Sequence, residues 1–156
     1  MARAADSRGR KFENEDLKVA AKEWCEDEQT ALAKYGPISG WDVSEVKSMK
    51  RLFCAHKHRG GYEAAKKFNA DISRWDVSNV TDMEDMFRGA EQFNCNLSSW
   101  NVEKVTNMQM MFYYELQIMK FDKNTIKGWE LKGKYTYGMF GDESEDSKLG
   151  EGSRKL

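Results

Sequence analysis

The sequence predicts an α/β solenoid of about four strand–turn–helix units, closed at its N-terminal end by a helical cap. Three observations predict it: an internal repeat, an apolar spacing that changes within each repeat, and an amphipathic stretch ahead of the first copy. Aligned on tryptophan, the chain reads ISGWDVSEVKSMKRLF over 38–53, ISRWDVSNVTDMEDMF over 72–87, LSSWNVEKVTNMQMMF over 97–112 and IKGWELKGKYTYGMF over 126–140. Trp to Phe spans 12 residues in the first three copies and 11 in the fourth, where Leu131 replaces the first Val. Units this short cannot bury an apolar face alone, so each must cover its neighbour.

Residues 1–11 form a flexible lead-in. Residues 12–36 read as the helical cap: Asn14 is an N-cap candidate, Glu15 and Asp16 suit the positive helix start, and Leu17, Ala20, Ala21 and Trp24 share one stripe. Asp27 restarts a helix carrying Ala31, Leu32 and Tyr35 before Gly36-Pro37 stops it. The solenoid follows over 37–140. From Ile72 the apolar positions fall two or three apart and then three or four apart, which predicts an extended piece turning into a short helix. That helix starts near Thr81, with Glu84 completing a capping box, and ends near Gly89. The worn fourth copy, with Tyr135, Tyr137 and Phe140, reads as the C-terminal cap, and 141–156 as a disordered tail.

The tryptophans at 41, 75, 100 and 129 invite a ligand-stacking reading, but their fixed offset from Val and Met positions makes them core. Met49, Met83, Met108 and Met139 read as one core position, and Asn69, Asn94 and Asp122 as turn residues bonding the backbone of adjacent coils. Asp42, Asp76 and Asn101, just after each tryptophan, are expected to do likewise. Calcium could use that row, although its third member is an amide.

Lys plus Arg (25) nearly cancel Asp plus Glu (26), so no overall field favours nucleic acid. No apolar run reaches membrane-spanning length and the start lacks a secretory core, so no membrane insertion is expected. Cys25, Cys54 and Cys95 are odd in number and scattered, which predicts reduced thiols and an intracellular or organellar setting, with the cell surface as the alternative.

One stretch stands outside the frame. CAHKHRGGYEAAKK separates the first two copies, and His56, Lys57, His58, Arg59, Lys66 and Lys67 make it the most basic local patch. It reads as an interaction loop for an acidic protein surface. Cys54, His56 and His58 could instead contribute to a zinc site, with no fourth ligand nearby. No catalytic residues, cofactor or metal are assigned, since no motif fixes a nucleophile and base together.

The pattern F-N-x-D/N-I/L-S-x-W-D/N-V-x-x-V-T-x-M-x-x-M-F resembles the BspA-like leucine-rich repeat family of surface proteins, whose unit is a DUF285-type domain of unknown function. The likeness covers roughly 12 to 140, and the lead-in LKVAAKEWCEDEQTALAKYGPISGWDVSEV is similar to the version found in algae and protists. The resemblance implies a leucine-rich-repeat-like solenoid with a binding role. The expected function is a non-enzymatic protein-binding module, acting as a scaffold or small structural subunit of a larger, multi-subunit assembly. A cell-surface adhesion module is the first alternative, and a zinc- or calcium-binding module the second.

Overall fold

The computed structural model describes residues 10–114 and 121–141. The expected flexible lead-in therefore lies almost wholly outside the described residues, as does nearly all of the expected tail.

Two α-helices open the described chain, α1 (Asn14–Glu26) and α2 (Glu28–Tyr35). Leu17, Ala20, Ala21 and Trp24 are buried on α1, and Ala31 and Tyr35 on α2. Asp27 caps α2, its side chain accepting from the Thr30 N–H at 3.1 Å, and Gly36 ends it at φ 75. Two details differ from expectation. Asn14 does not cap α1; its Oδ1 accepts from the Lys47 and Ser48 amides at 2.9 and 3.2 Å and ties the helix to the first copy. Leu32 is 38 % exposed, because only one face of this short helix meets the repeats.

The expectation of strand–turn–helix units in an α/β, leucine-rich-repeat-like solenoid is wrong. Beyond α1 and α2 the described residues hold only 3₁₀ turns and isolated parallel bridges, with no sheet and no α-helix inside any copy. The copies instead form a ladder of turns. From Met83 to Gly89 the amides alternate: Met83, Asp85, Phe87 and Gly89 donate to the carbonyls of Asn107, Gln109, Met111 and Tyr113 in the next copy. Between them, Met86 and Arg88 donate three residues back, to Met83 and Asp85. A helix needs each amide to follow its own axis, so sharing alternate amides with a neighbour excludes it.

One backbone position enforces this arrangement. Arg51, Asp85 and Met110 stand at φ 60, 55 and 50, and Gly138 holds the same place in the fourth copy at φ 62. A left-handed residue interrupts a right-handed helix and costs an L side chain roughly 1–2 kcal/mol. The ladder and the packing hold it there. The expected capping box is absent for the same reason: Thr81 Oγ1 donates to Lys47 O across copies, and Asp82 Oδ1 accepts from the Glu84 N–H.

Side chains repeat as strictly as the backbone. All four tryptophans are at most 4 % exposed, as their offsets require. Trp75, Trp100 and Trp129 each donate Nε1–H to the carbonyl of the Ile or Leu that opens the preceding turn, at 2.8, 3.1 and 3.0 Å. Trp41 lies parallel to Trp75, with ring centres 6.2 Å apart. Beside this column runs a double file of phenylalanines: Phe53 on Phe68, Phe87 on Phe93 and Phe112 on Phe121, each pair face to face at 3.7–3.8 Å. Such pairs add about 0.5–1.5 kcal/mol each beyond burial.

The backbone register also corrects the methionine column. Met49, Met83 and Met108 donate to the carbonyls of Asp82, Asn107 and Tyr135, which puts Thr136, not Met139, in their column. Met139 aligns with Leu52, Met86 and Met111. The deletion falls between Lys134 and Tyr135, so Lys134 occupies the place of Val46, Val80 and Val105 and closes the same three-residue turn. Its ammonium donates to three carbonyls of the third copy, Val102, Glu103 and Val105, at 2.7–3.0 Å, and burial pushes its pKa down.

The polar turn residues divide into two uses. Asn69 Oδ1 accepts from the Asn94 amide, bonding across copies as expected. Asp42, Asp76 and Asn101 instead accept from the amides two residues on, at Ser44, Ser78 and Glu103, within their own coil. Asp122 does the same with Asn124. These side chains are occupied in turns that the backbone could not close alone.

Candidate basic site beside the insertion

The insertion leaves the ladder at Ala55, whose amide still donates to Arg88 O, and rejoins it at Phe68. It folds back on itself: Gly61 N–H donates to His56 O and Tyr62 N–H to Cys54 O. A Cβ at Gly61 would stand 2.3 Å from Cys54 O, so only glycine allows this return. Two 3₁₀ turns, Lys57–Arg59 and Glu63–Lys67, shape the rest, and buried Ala65 anchors it. Tyr62 fixes the base, its hydroxyl donating to Leu52 O at 2.6 Å. Burial pushes that phenol far above its ordinary pKa, so it stays protonated.

Against the turns of the second and third copies the insertion leaves a hollow of about 230 Å³. His56, Lys57, His58 and Lys66 line it from the insertion; Arg88, Tyr113 and Tyr114 line it from the copies. The six predicted loop residues therefore divide. Arg59 does not line this hollow, and Lys67 lines a different one, between the insertion and the helical cap beside Trp24 and Glu28.

The charges at the hollow are layered. Lys66 sits 2.7 Å from Glu63 and 3.7 Å from Glu91, while Lys57 lies 3.7 Å from Glu63. Hydrogen bonding to Lys66 holds the Glu63 carboxyl below its usual range and raises the Lys66 ammonium. Arg88, 6 % exposed, is held from beneath by Asp85 at 3.3 Å and lies 4.6 Å over the Tyr113 ring. Asp85 also meets Arg51 at 3.4 Å. Desolvation, with Glu91 nearby, raises the Tyr114 phenol. The exposed rim carries the insertion lysines and histidines together with Glu63 and Glu91, and the floor is aromatic.

The cysteine–histidine pattern does not assemble a metal centre. Cys54 is fully buried and its thiol meets the His56 carbonyl at 3.9 Å, while the His56 and His58 rings meet edge-on with centres 5.8 Å apart. Among the described residues no three His, Cys, Asp or Glu side chains gather as ligands. Burial raises the Cys54 thiol and, for Cys25, pushes it up to about 12, so neither is a ready nucleophile.

Sequence reasoning missed Arg88, Tyr113 and Tyr114. A signal existed, because the place after the constant frame Phe reads Cys54, Arg88 and Tyr113, three different residue types in successive copies. Other disagreements proved structural: Lys104 Nζ donates to Asn79 Oδ1 at 2.7 Å, and Ser99 Oγ to Ser73 O at 2.9 Å. No helix among the described residues is long and apolar enough to cross a membrane.

Residues 28–149 match the family model described as Mycoplasma protein of unknown function, DUF285. No curated protein and no solved structure matches the chain.

Proposed function

The chain belongs to the DUF285 family, and from that premise we propose that it is a non-enzymatic repeat module that binds a protein partner, as a scaffold or small structural subunit of a larger assembly. One observation carries the reading. The shared frame residues are spent inside the ladder, whereas the insertion gathers His56, Lys57, His58 and Lys66 around an aromatic floor. Over the tyrosine rings, the rim's lysines and histidines, set among Glu63 and Glu91, suit an acidic protein surface, with the charges steering and the rings holding. The thiol beside a histidine supports binding over catalysis, since Cys54 is buried and its sulfur faces a backbone carbonyl.

The test is stoichiometric co-purification from the native source, comparing the natural chain with a Lys57→Glu/Lys66→Glu variant. A defined partner retained by the first and lost by the second supports the reading. Recovery of the same partner by both, or of the natural chain alone, sinks it.

A further inference from the structure

We propose that a third hollow, between α1, the turn of the first copy and the insertion, binds a phosphate dianion. It measures about 300 Å³ and is lined by Lys18, Lys22, Lys50 and Arg51, with Leu52, Gly60 and Tyr62 completing its wall. No carboxylate lines it, in a chain whose formal net charge is −1. It shares no lining residue with the hollow at His56, so this inference stands apart from the proposed protein-binding role.

The arrangement comes from three parts of the fold. Lys18 and Lys22 lie one turn apart on α1, on the flank of its buried stripe, and the Asn14 bonds to Lys47 and Ser48 bring that helix against the first copy. Lys50 and Arg51 project from the copy's left-handed turn, and the insertion closes the side. Each lysine also has a carboxylate partner outside the lining: Glu15 on Lys18 at 2.9 Å, Glu26 on Lys22 at 3.7 Å and Glu84 on Lys50 at 2.8 Å.

Arg51 is the best-placed donor. Its Nε reaches Asp85 at 3.4 Å and its Nη2 reaches Glu84 at 3.5 Å. Those acids are 1 % and 15 % exposed and hold the guanidinium from the core side. A guanidinium has five N–H donors, so the remainder of its fork serves an anion, as do the further protons of the three ammonium groups. The outer guanidinium donors plus several point charges around one small volume match the three terminal oxygens and double charge of a phosphate. Tyr62 contributes an apolar wall, since its hydroxyl is committed to Leu52 O.

The chemistry fits free phosphate and a phosphorylated side chain alike, and the experiment separates them. The full chain is titrated at constant ionic strength with inorganic phosphate, with a phosphoserine peptide, and with the same peptide unphosphorylated, following backbone amide shifts by NMR. Saturable shifts at Lys50, Arg51, Gly60 and Tyr62 are expected with phosphate. The Lys18→Gln/Lys22→Gln variant, with both side chains on the surface, should keep its Tm and bind about tenfold more weakly. Tighter binding of the phosphopeptide than of phosphate identifies a phosphorylated partner as the source; equal or weaker binding identifies the free ion. The proposal is overturned by shifts that chloride reproduces, marking an adventitious ion only, by the lack of a saturable shift with both phosphate and the phosphopeptide, or by unchanged affinity in the variant.

Discussion

The helical cap and the repeats satisfy the same backbone groups in opposite ways. In α1 and α2 each amide finds its acceptor one turn away, so a helix carries most of its own hydrogen bonding. In the repeats alternate amides reach the next copy, as Arg51 to Glu84 and Asp85 to Gln109. A copy is therefore incomplete without its neighbour, and the ladder forms and fails as a unit. The cap is a local structure fastened to it by Asn14 and by Trp24 against Trp41, with ring centres 5.7 Å apart.

The sharpest way to break this contrast is Trp75→Ala. It removes a ring that is 3 % exposed together with its bond to Ile38 O, at a cost of about 4 kcal/mol. Thermal unfolding should show one transition, lowered for every copy at once; survival of the third and fourth copies while the second melts would refute the cooperative ladder. Asp85→Ala comes next, at about 3 kcal/mol, because it leaves Arg88 buried without its acid and Arg51 without its inner partner. Urea denaturation reads that loss, and a change under 1 kcal/mol would show that the left-handed turn matters more than the charges. Leu17→Ala in the cap should cost about 2–3 kcal/mol and expose α1 to hydrogen exchange before the ladder amides. Simultaneous exchange in both regions would erase the distinction. Lys134→Ala is expected to cost about 1 kcal/mol, since three carbonyls lose their donor at a partly exposed edge, and differential scanning calorimetry measures it.

The smallest effect concerns acid. Hydrogen bonds from the Ser44 and Ser78 side chains, then their amides, hold Asp42 and Asp76 below the ordinary carboxylate range. A folded pKa below the unfolded one means stability that is present above about pH 4 and lost as pH falls through the folded value. Asp76→Asn, which copies the third repeat's Asn101, should leave Tm at pH 7 nearly unchanged and flatten part of its fall toward pH 3. An unchanged acid slope would remove this carboxylate from the account.

The frame, the two cap helices and the buried tryptophans were legible because apolar periodicity and capping chemistry act locally. The coil type was not. Met83, Met86 and Phe87 carry a spacing that a helix and a three-residue turn share, and only the φ of Asp85 separates them. Asp85 and its equivalent Gly138 both tolerate a left-handed backbone, but Arg51 and Met110 in the same place disguise it. The fourth copy hid its register in the same way, with Lys134 in a valine's place. At the basic site the insertion residues stood out by composition, whereas Arg88 and Tyr113 arrive from copies distant in sequence and are placed by stacking alone.

The shared amides also bear on how such a chain changes length. Each copy offers its successor the donors and acceptors that it meets in its predecessor, so a tandem duplication supplies a unit already fitted on both faces. The insertion between Ala55 and Phe68 shows the other freedom: added residues leave and return between rungs without disturbing either. Genetic slippage by whole copies, or extra sequence at that one joint, lets this architecture acquire new surface while its interior stays the same.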